Sequence, residues 1–377
     1  MSHEDRAQSE DLSKTAPQFT MPEILRQPHL WPVTVKEVHA AAGRLQLAAK
    51  LQHARVLLTG AGTSAYAAMA IASAWPRAYA VPTTDLLVDA ERYLLDVDAV
   101  ISVARSGDSP ESVAVVERVR ALRPDILQFA IVCNEDGALS HSSLNGVITL
   151  DPRTNDQGLV MTSSFSNLVL AGLVLVQAEA VAATVDELSA RAIALFPDID
   201  RACRRVADRT HDRIVILSSS PLLGWAREAG LKTLEMTAGH FPVITETHLG
   251  LRHGPMSFVK SDTLVLCLLS SDPLRRRYEE DLICELRAKK IGYIVGIVDP
   301  GASKGLFDEV IPAVAPQMID ALRTPYEILG PQLIGYHLSL RIGLNPDNPS
   351  PDGVINRVVQ GVTIHPTRPL ETVTSSK

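Results

Sequence analysis

Glu228, Lys232 and Glu235 fall at i, i+4 and i+7, a spacing that puts all three on one face of a helix. Residues 228–239 read EAGLKTLEMTAG. They contain no proline, offer Leu231 and Leu234 for packing, and end at Gly239, where a helix would stop. The ordinary account of such a face is a solvated surface with an i,i+4 ion pair. The residues that follow argue for more. Residues 240–250 (HFPVITETHLG) are turn-rich and carry His248, and residues 251–257 (LRHGPMS) add Arg252 and His253. A carboxylate helix beside a histidine loop is what proton-transfer chemistry needs.

Three further stretches are rich in hydroxyls. Gly60-Ala-Gly-Thr63-Ser64 follows a short apolar run, as does Arg105-Ser106-Gly107-Asp108-Ser109, and Thr162-Ser163-Ser164 opens a long apolar segment. Each stands where a strand gives way to a helix. Helix N-termini present free N–H groups and positive potential, and serine or threonine adds donors, so convergence of the three would cradle a phosphate. Taken singly, each hydroxyl is more often a helix cap, but three at equivalent strand ends favour the cradle. Gly60-x-Gly62-x-x-Ala65 also fits a loose dinucleotide fingerprint with Asp85 downstream, although Asp85 is expected at the start of a strand rather than its end. The chain has no GxxxxGK[ST] and no HExxH, so neither a P-loop nor a metal site is expected.

The elements that position these residues repeat. Residues 55–59 (RVLLT), 99–103, 126–132 and 146–150 read as strands, with 83–88 as another, and the pattern restarts at residues 213–217 (RIVIL), 263–269, 291–298 and 310–314. The offset is roughly 160 residues, the mark of a duplicated α/β unit with a parallel sheet in each half. The expected boundaries are a disordered or connecting segment over residues 1–32 and a phosphate-binding domain over 33–200, opening on a helix from 33 to about 53. A domain with the catalytic helix and histidine loop follows over 201–344. Residues 345–377 form a tail whose aliphatics pack on the body, because a dispensable tail rarely holds so many.

With 377 residues, 46% hydrophobic and 21% charged, the composition is that of a soluble globular protein. A net charge of −7 with no basic run argues against nucleic acid. The longest apolar run, residues 168–176, is too short to cross a bilayer. Cys133, Cys203, Cys267 and Cys284 are scattered, which suits reduced thiols in the cytoplasm.

The stretches GAGTSA, ARSGDSPESV, CNEDGAL and MTSS resemble the sugar isomerase (SIS) domain, in duplicate. EAGLKTLEMTAG, GLRHGP and NRVVQGVTIHP resemble the AgaS family of sugar-phosphate isomerases and deaminases. The resemblance spans about residues 33–366. It implies two tandem SIS domains, each a flavodoxin-like three-layer αβα sheet. The implied reaction takes a hexosamine 6-phosphate, galactosamine 6-phosphate first, to tagatose 6-phosphate and ammonia in a homo-oligomer without a cofactor. By motif, Thr63, Ser64, Ser106 and Ser109 would hold the phosphate, with Arg105 in the same loop and Thr162 and Ser163 nearby. Glu235 would move the proton between C1 and C2, provided burial raises its pKa while Lys232 limits the rise. Lys232 and Glu228 match polar positions beside it. His253 would help open the ring, its counterpart in a relative being supplied by the neighbouring subunit, and His365 is either tail packing or a lid. SIS domains also serve as non-catalytic sugar-phosphate sensors, a reading that needs neither Glu235 nor His253. The dinucleotide oxidoreductase is the third alternative.

Overall fold

The computed structural model describes residues 16–299, 301, 305–359 and 361–366. The disorder expected of residues 1–15, and residues 367–377 of the tail, lie outside them. Ten strands form two sheets. β1 (Val56–Gly60), β2 (Ala78–Pro82), β3 (Ala99–Ala104), β4 (Leu127–Val132) and β5 (Gly146–Thr149) lie in the order β2-β1-β3-β4-β5. β6 (Arg213–Leu217), β7 (Val243–Glu246), β8 (Thr263–Leu268), β9 (Tyr293–Val298) and β10 (Glu309–Pro312) lie in the order β10-β9-β8-β6-β7. Read from β7, the second order repeats the first, and all neighbours are parallel. This is the doubly wound flavodoxin-like order, which places ligands outside the carboxyl ends of the strands. β1, β3 and β8 are buried along their whole length, which is why their sequences are continuous apolar runs rather than alternating ones.

The helices depart from expectation at the N-terminus. α1 (Thr20–Leu45) starts well inside the segment read as a connector, and it runs through Pro28 and Pro32. Pro32 has no N–H for the Pro28 carbonyl, which would normally break the helix. Ser189 Oγ donates to Pro28 O at 2.7 Å and fills the gap. A second difference follows β1. The second strand is residues 78–82, and Thr83–Val88 is a short helix. Pro82 is tolerated because β2 is an edge strand.

α2 (Thr63–Ser73), α3 (Pro110–Leu122), α5 (Leu223–Met236), α6 (Pro273–Lys289) and α7 (Leu329–Arg341) flank the sheets, with α4 (Ser163–Asp208) between α3 and α5 in the chain. α4 is 46 residues long, breaks helical geometry at Gln177 (φ −134°, ψ 40°), and carries the chain from one sheet to the other. By length and mean hydropathy (2.1 over its most apolar window) it could cross a membrane. Phe165, Leu168, Leu170 and Leu173 instead lie buried in a core shared with Ile71, Trp225 and Leu333 from both halves. Each sheet also has outer clusters of its own, such as that of Leu57, Val100 and Val115 in the first and Leu251, Val265 and Leu282 in the second.

One close approach fixes how the halves meet. A Cβ on Gly224 would lie 2.8 Å from the Ala70 backbone nitrogen. Glycine there lets α5 of the second half touch α2 of the first. The C-terminal segment returns to the first half through polar anchors. Asp347 accepts hydrogen bonds from the Thr20 amide and hydroxyl, both at 2.7 Å, at the start of α1. The aliphatics expected to bury do not do so uniformly: Val354 is 84% exposed and Val359 50%.

Candidate active site

α5 presents Glu228, Lys232 and Glu235 on one face, and Gly224 presses that helix against α2, which begins at Thr63. Thr63 therefore sits among the three. Thr63 Oγ1 donates to Glu228 Oε1 at 3.2 Å and accepts from Lys232 Nζ at 3.1 Å. Lys232 Nζ lies 3.4 Å from Glu228 Oε1 and also bonds Glu235 Oε2. The helix ends just beyond, with Gly239 in the left-handed region at φ +72° and its amide donating to Leu234 O, as a glycine cap does.

Burial separates the three charges. Glu228 and Lys232 are fully buried, whereas the Glu235 side chain is 24% exposed. Burial pushes the Glu228 carboxyl up to about 8, against the opposing pull of Lys232, and Glu228 Oε2 has no hydrogen-bond partner among the described residues. For Lys232, burial acts downward, but Glu228 and Glu235 outweigh it and the ammonium is held above its ordinary value. Glu235 faces open space with a charged lysine behind it.

That space is a cavity of about 190 Å³ at the carboxyl ends of β1 and β3. Gly62, Thr63 and Ser64 form one wall, and Arg105, Ser106, Gly107, Ser109 and Ser112 a second. Leu159, Met161 and Glu235 complete the base, and residues 355–359 of the C-terminal segment lie across it. Gly60 is required for the tight turn, because a Cβ would lie 2.5 Å from the Ser64 backbone. Gly62 adopts φ +57°, ψ −127°, a region that side chains avoid. The N-termini of α2 and α3 both face the cavity. The Ser109 hydroxyl donates to Glu111 Oε2 at 3.1 Å, so part of its capacity is engaged. Arg105 is buried and spends its donors on Leu159 O at 3.1 Å and on Arg357 O.

Not every residue singled out in the sequence joins this cavity. Thr162 and Ser163 are buried but absent from its lining. Asp156 Oδ2 accepts from the amides of Thr162 and Ser164 at 2.8 Å, so this stretch is an N-terminus capped from within. His253 is exposed and does not line the cavity. Its neighbour Arg252 bonds Glu285 of α6 at 2.7 Å, and Leu251 packs with Leu282, Ile283 and Leu286 of that helix on the outer face. His365 is exposed and also outside the lining. Asp85 lies on the Thr83–Val88 helix rather than at a strand end, so the dinucleotide fingerprint lacks its ribose-binding acid. Conversely, sequence reading missed Asn356 and Arg357, whose only signal was a polar pair in an aliphatic tail. Among the described residues, no group of three or more His, Cys, Asp or Glu is placed to hold a metal ion.

An AgaS protein from Streptomyces coelicolor is 36% identical over 367 residues, covering 92% of this chain and 95% of its own. D-galactosamine-6-phosphate deaminase AgaS from Shewanella sp. strain ANA-3 is 34% identical over 388 residues, covering 97% of each. The chain belongs to the AgaS family. Among solved structures, tagatose-6-phosphate ketose/aldose isomerase from Escherichia coli superposes on this AgaS-family chain with a TM-score of 0.83 and 31% identity. That match covers 94% of this chain and all of the other. No protein-family model matches the sequence.

Proposed function

We propose that this AgaS-family chain is a hexosamine 6-phosphate isomerase and deaminase that converts galactosamine 6-phosphate and water to tagatose 6-phosphate and ammonia. The observation that carries the reading is Glu235. It is a carboxylate at the rim of a cavity walled by hydroxyls, two helix N-termini and a buried arginine, with Lys232 fixed behind it. The relatives' names supply the sugar.

In this account the phosphate binds among Thr63, Ser64, Arg105, Ser106 and Ser109, where N–H groups and hydroxyls suit an anion. Once the ring is open, Glu235 takes the proton from C2 of the aldose, leaving an enolamine, and returns it to C1. The product is a ketimine at C2. Water adds there and ammonia leaves, giving the ketose. Lys232 keeps Glu235 oriented and offsets charge as the proton moves. No hydride is transferred, so a nicotinamide has no part. His253 is exposed and does not line its own chain's cavity, so we assign it to a neighbouring subunit's site in a homo-oligomer. Free thiols at Cys133, Cys203, Cys267 and Cys284 fit a cytoplasmic setting.

The test is ammonia release and ketose formation on galactosamine 6-phosphate, glucosamine 6-phosphate, their N-acetyl forms and unphosphorylated galactosamine. The expected result is turnover of galactosamine 6-phosphate and none of galactosamine. Tight binding of a phosphosugar with no turnover of any would make the protein a sensor instead.

A further inference from the structure

Arg357 stands on the C-terminal segment, more than two hundred residues from the loop it completes. Its Nε donates to Asp156 O at 3.0 Å, and Nη2 donates to Asn155 Oδ1 at 2.8 Å. Its own carbonyl accepts from Arg105. The hydrogen bonds of both arginines go to neutral oxygens: the carbonyls of Asp156, Gly158, Leu159 and Arg357, and the Asn155 amide. Both line the cavity. Burial lowers the Arg105 pKa first, and the nearby Arg357 charge lowers it further, with Asp156 and Glu235 in partial compensation. Two like charges held at one small cavity without a bonded carboxylate are costly until an anion enters. The planar fork of arginine suits a phosphate.

Resting on the phosphate-site reading above, we propose that Arg357 is a binding residue of that site. With Arg105 it supplies the charge for the substrate's phosphate dianion, and occupancy by that dianion holds residues 355–359 across the cavity. Arg357 thereby discriminates phosphorylated from unphosphorylated sugars.

The test uses the full chain and inorganic phosphate as probe, by titration calorimetry and by limited proteolysis of the C-terminal segment. In the wild type, phosphate is expected to bind and to slow cleavage there. Arg357→Ala is expected to weaken phosphate binding and raise KM for galactosamine 6-phosphate by about 10- to 100-fold, the range for charge-assisted hydrogen bonds, with kcat much less affected. Arg357→Lys should recover only part of this, because lysine keeps the charge but not the fork. A merely structural role would lower the melting temperature and kcat together and would leave phosphate affinity in the folded fraction unchanged. Wild-type phosphate affinity and unaltered proteolysis in Arg357→Ala overturn the inference even if the enzyme turns over normally. Phosphate binding that needs Arg357, in a protein that deaminates no hexosamine phosphate, upholds it and overturns the proposed reaction.

Discussion

Thr63 is the residue at which the two halves become one site. It belongs to the first repeat, yet its hydroxyl bonds Glu228 and Lys232 of the second. The inner carboxyl, Glu228, also gives the clearest pH signature. Its folded pKa, about 8, is above that of an unfolded glutamate, so between pH ~4.5 and 8 the unfolded chain releases a proton that the folded one keeps. Folding is favoured by this group at low pH, and its contribution is lost as pH rises through 8. Glu23, pushed to about 7 first by burial and then by Asp156, has the same sign, whereas His248, pushed down to about 3 by burial, acts oppositely as pH falls below ~6.5. The comparison that isolates Glu228 is wild type against Glu228→Gln, melted from pH 5 to 8. The variant should lose less stability on going to pH 8. Parallel curves would show that Glu228 is already ionised when folded.

At the scale of elements, the Gly224 contact between α5 and α2 is what brings Glu235 to a cavity built by the other half. Gly224→Val must push the helices apart, because the clash is with backbone rather than a movable side chain. It should cost about 1–3 kcal/mol of stability, as overpacking does. Turnover should fall more than stability explains, measured as kcat on protein shown to be folded. Unchanged kcat would mean that the helix spacing does not set the site. The two repeats differ in what their strand-end loops do. In the first, Ser106 and Ser109 line open space. In the second, the Ser271 amide donates to Asp320 at 2.8 Å, the Ser270 hydroxyl bonds the same carboxylate, and Arg275 and Arg323 approach it at 3.1 Å. An internal carboxylate thus engages the second half's loop, whereas the matching loop of the first half lines the cavity.

Over the whole molecule, the duplication was legible because parallel strands read as plain apolar runs, and eight of the ten recur at one offset; β2 and β7, both partly buried edge strands, were not read. The polar face of α5 was legible because 3.6-residue periodicity aligns Glu228, Lys232 and Glu235. Other features were not. Pro28 and Pro32 look like helix breakers until Ser189, far along the chain, is seen to bond the freed carbonyl. Pro82 closes β2 one residue before the strand was expected to begin. Thr162 and Ser163 carry the same hydroxyls as the loops that line the cavity, but Asp156 engages that turn, and only three-dimensional contacts tell the two apart. Arg357 is tied to the Asp156 carbonyl and the Asn155 side chain, a pairing without sequence periodicity. His253 is exposed and outside the cavity's lining, two residues past Leu251, which packs in the second sheet's outer cluster, so its role in the reaction is assigned to a second copy of the chain. The central claim is that Glu235 moves the proton. It is tested most directly by ammonia release from galactosamine 6-phosphate with Glu235→Gln protein, alone and mixed with His253→Asn protein. The account expects Glu235→Gln alone to lose about 10²- to 10⁴-fold in kcat while still binding the sugar phosphate, and part of the activity to return in the mixture. Turnover by Glu235→Gln at the wild-type rate would contradict it.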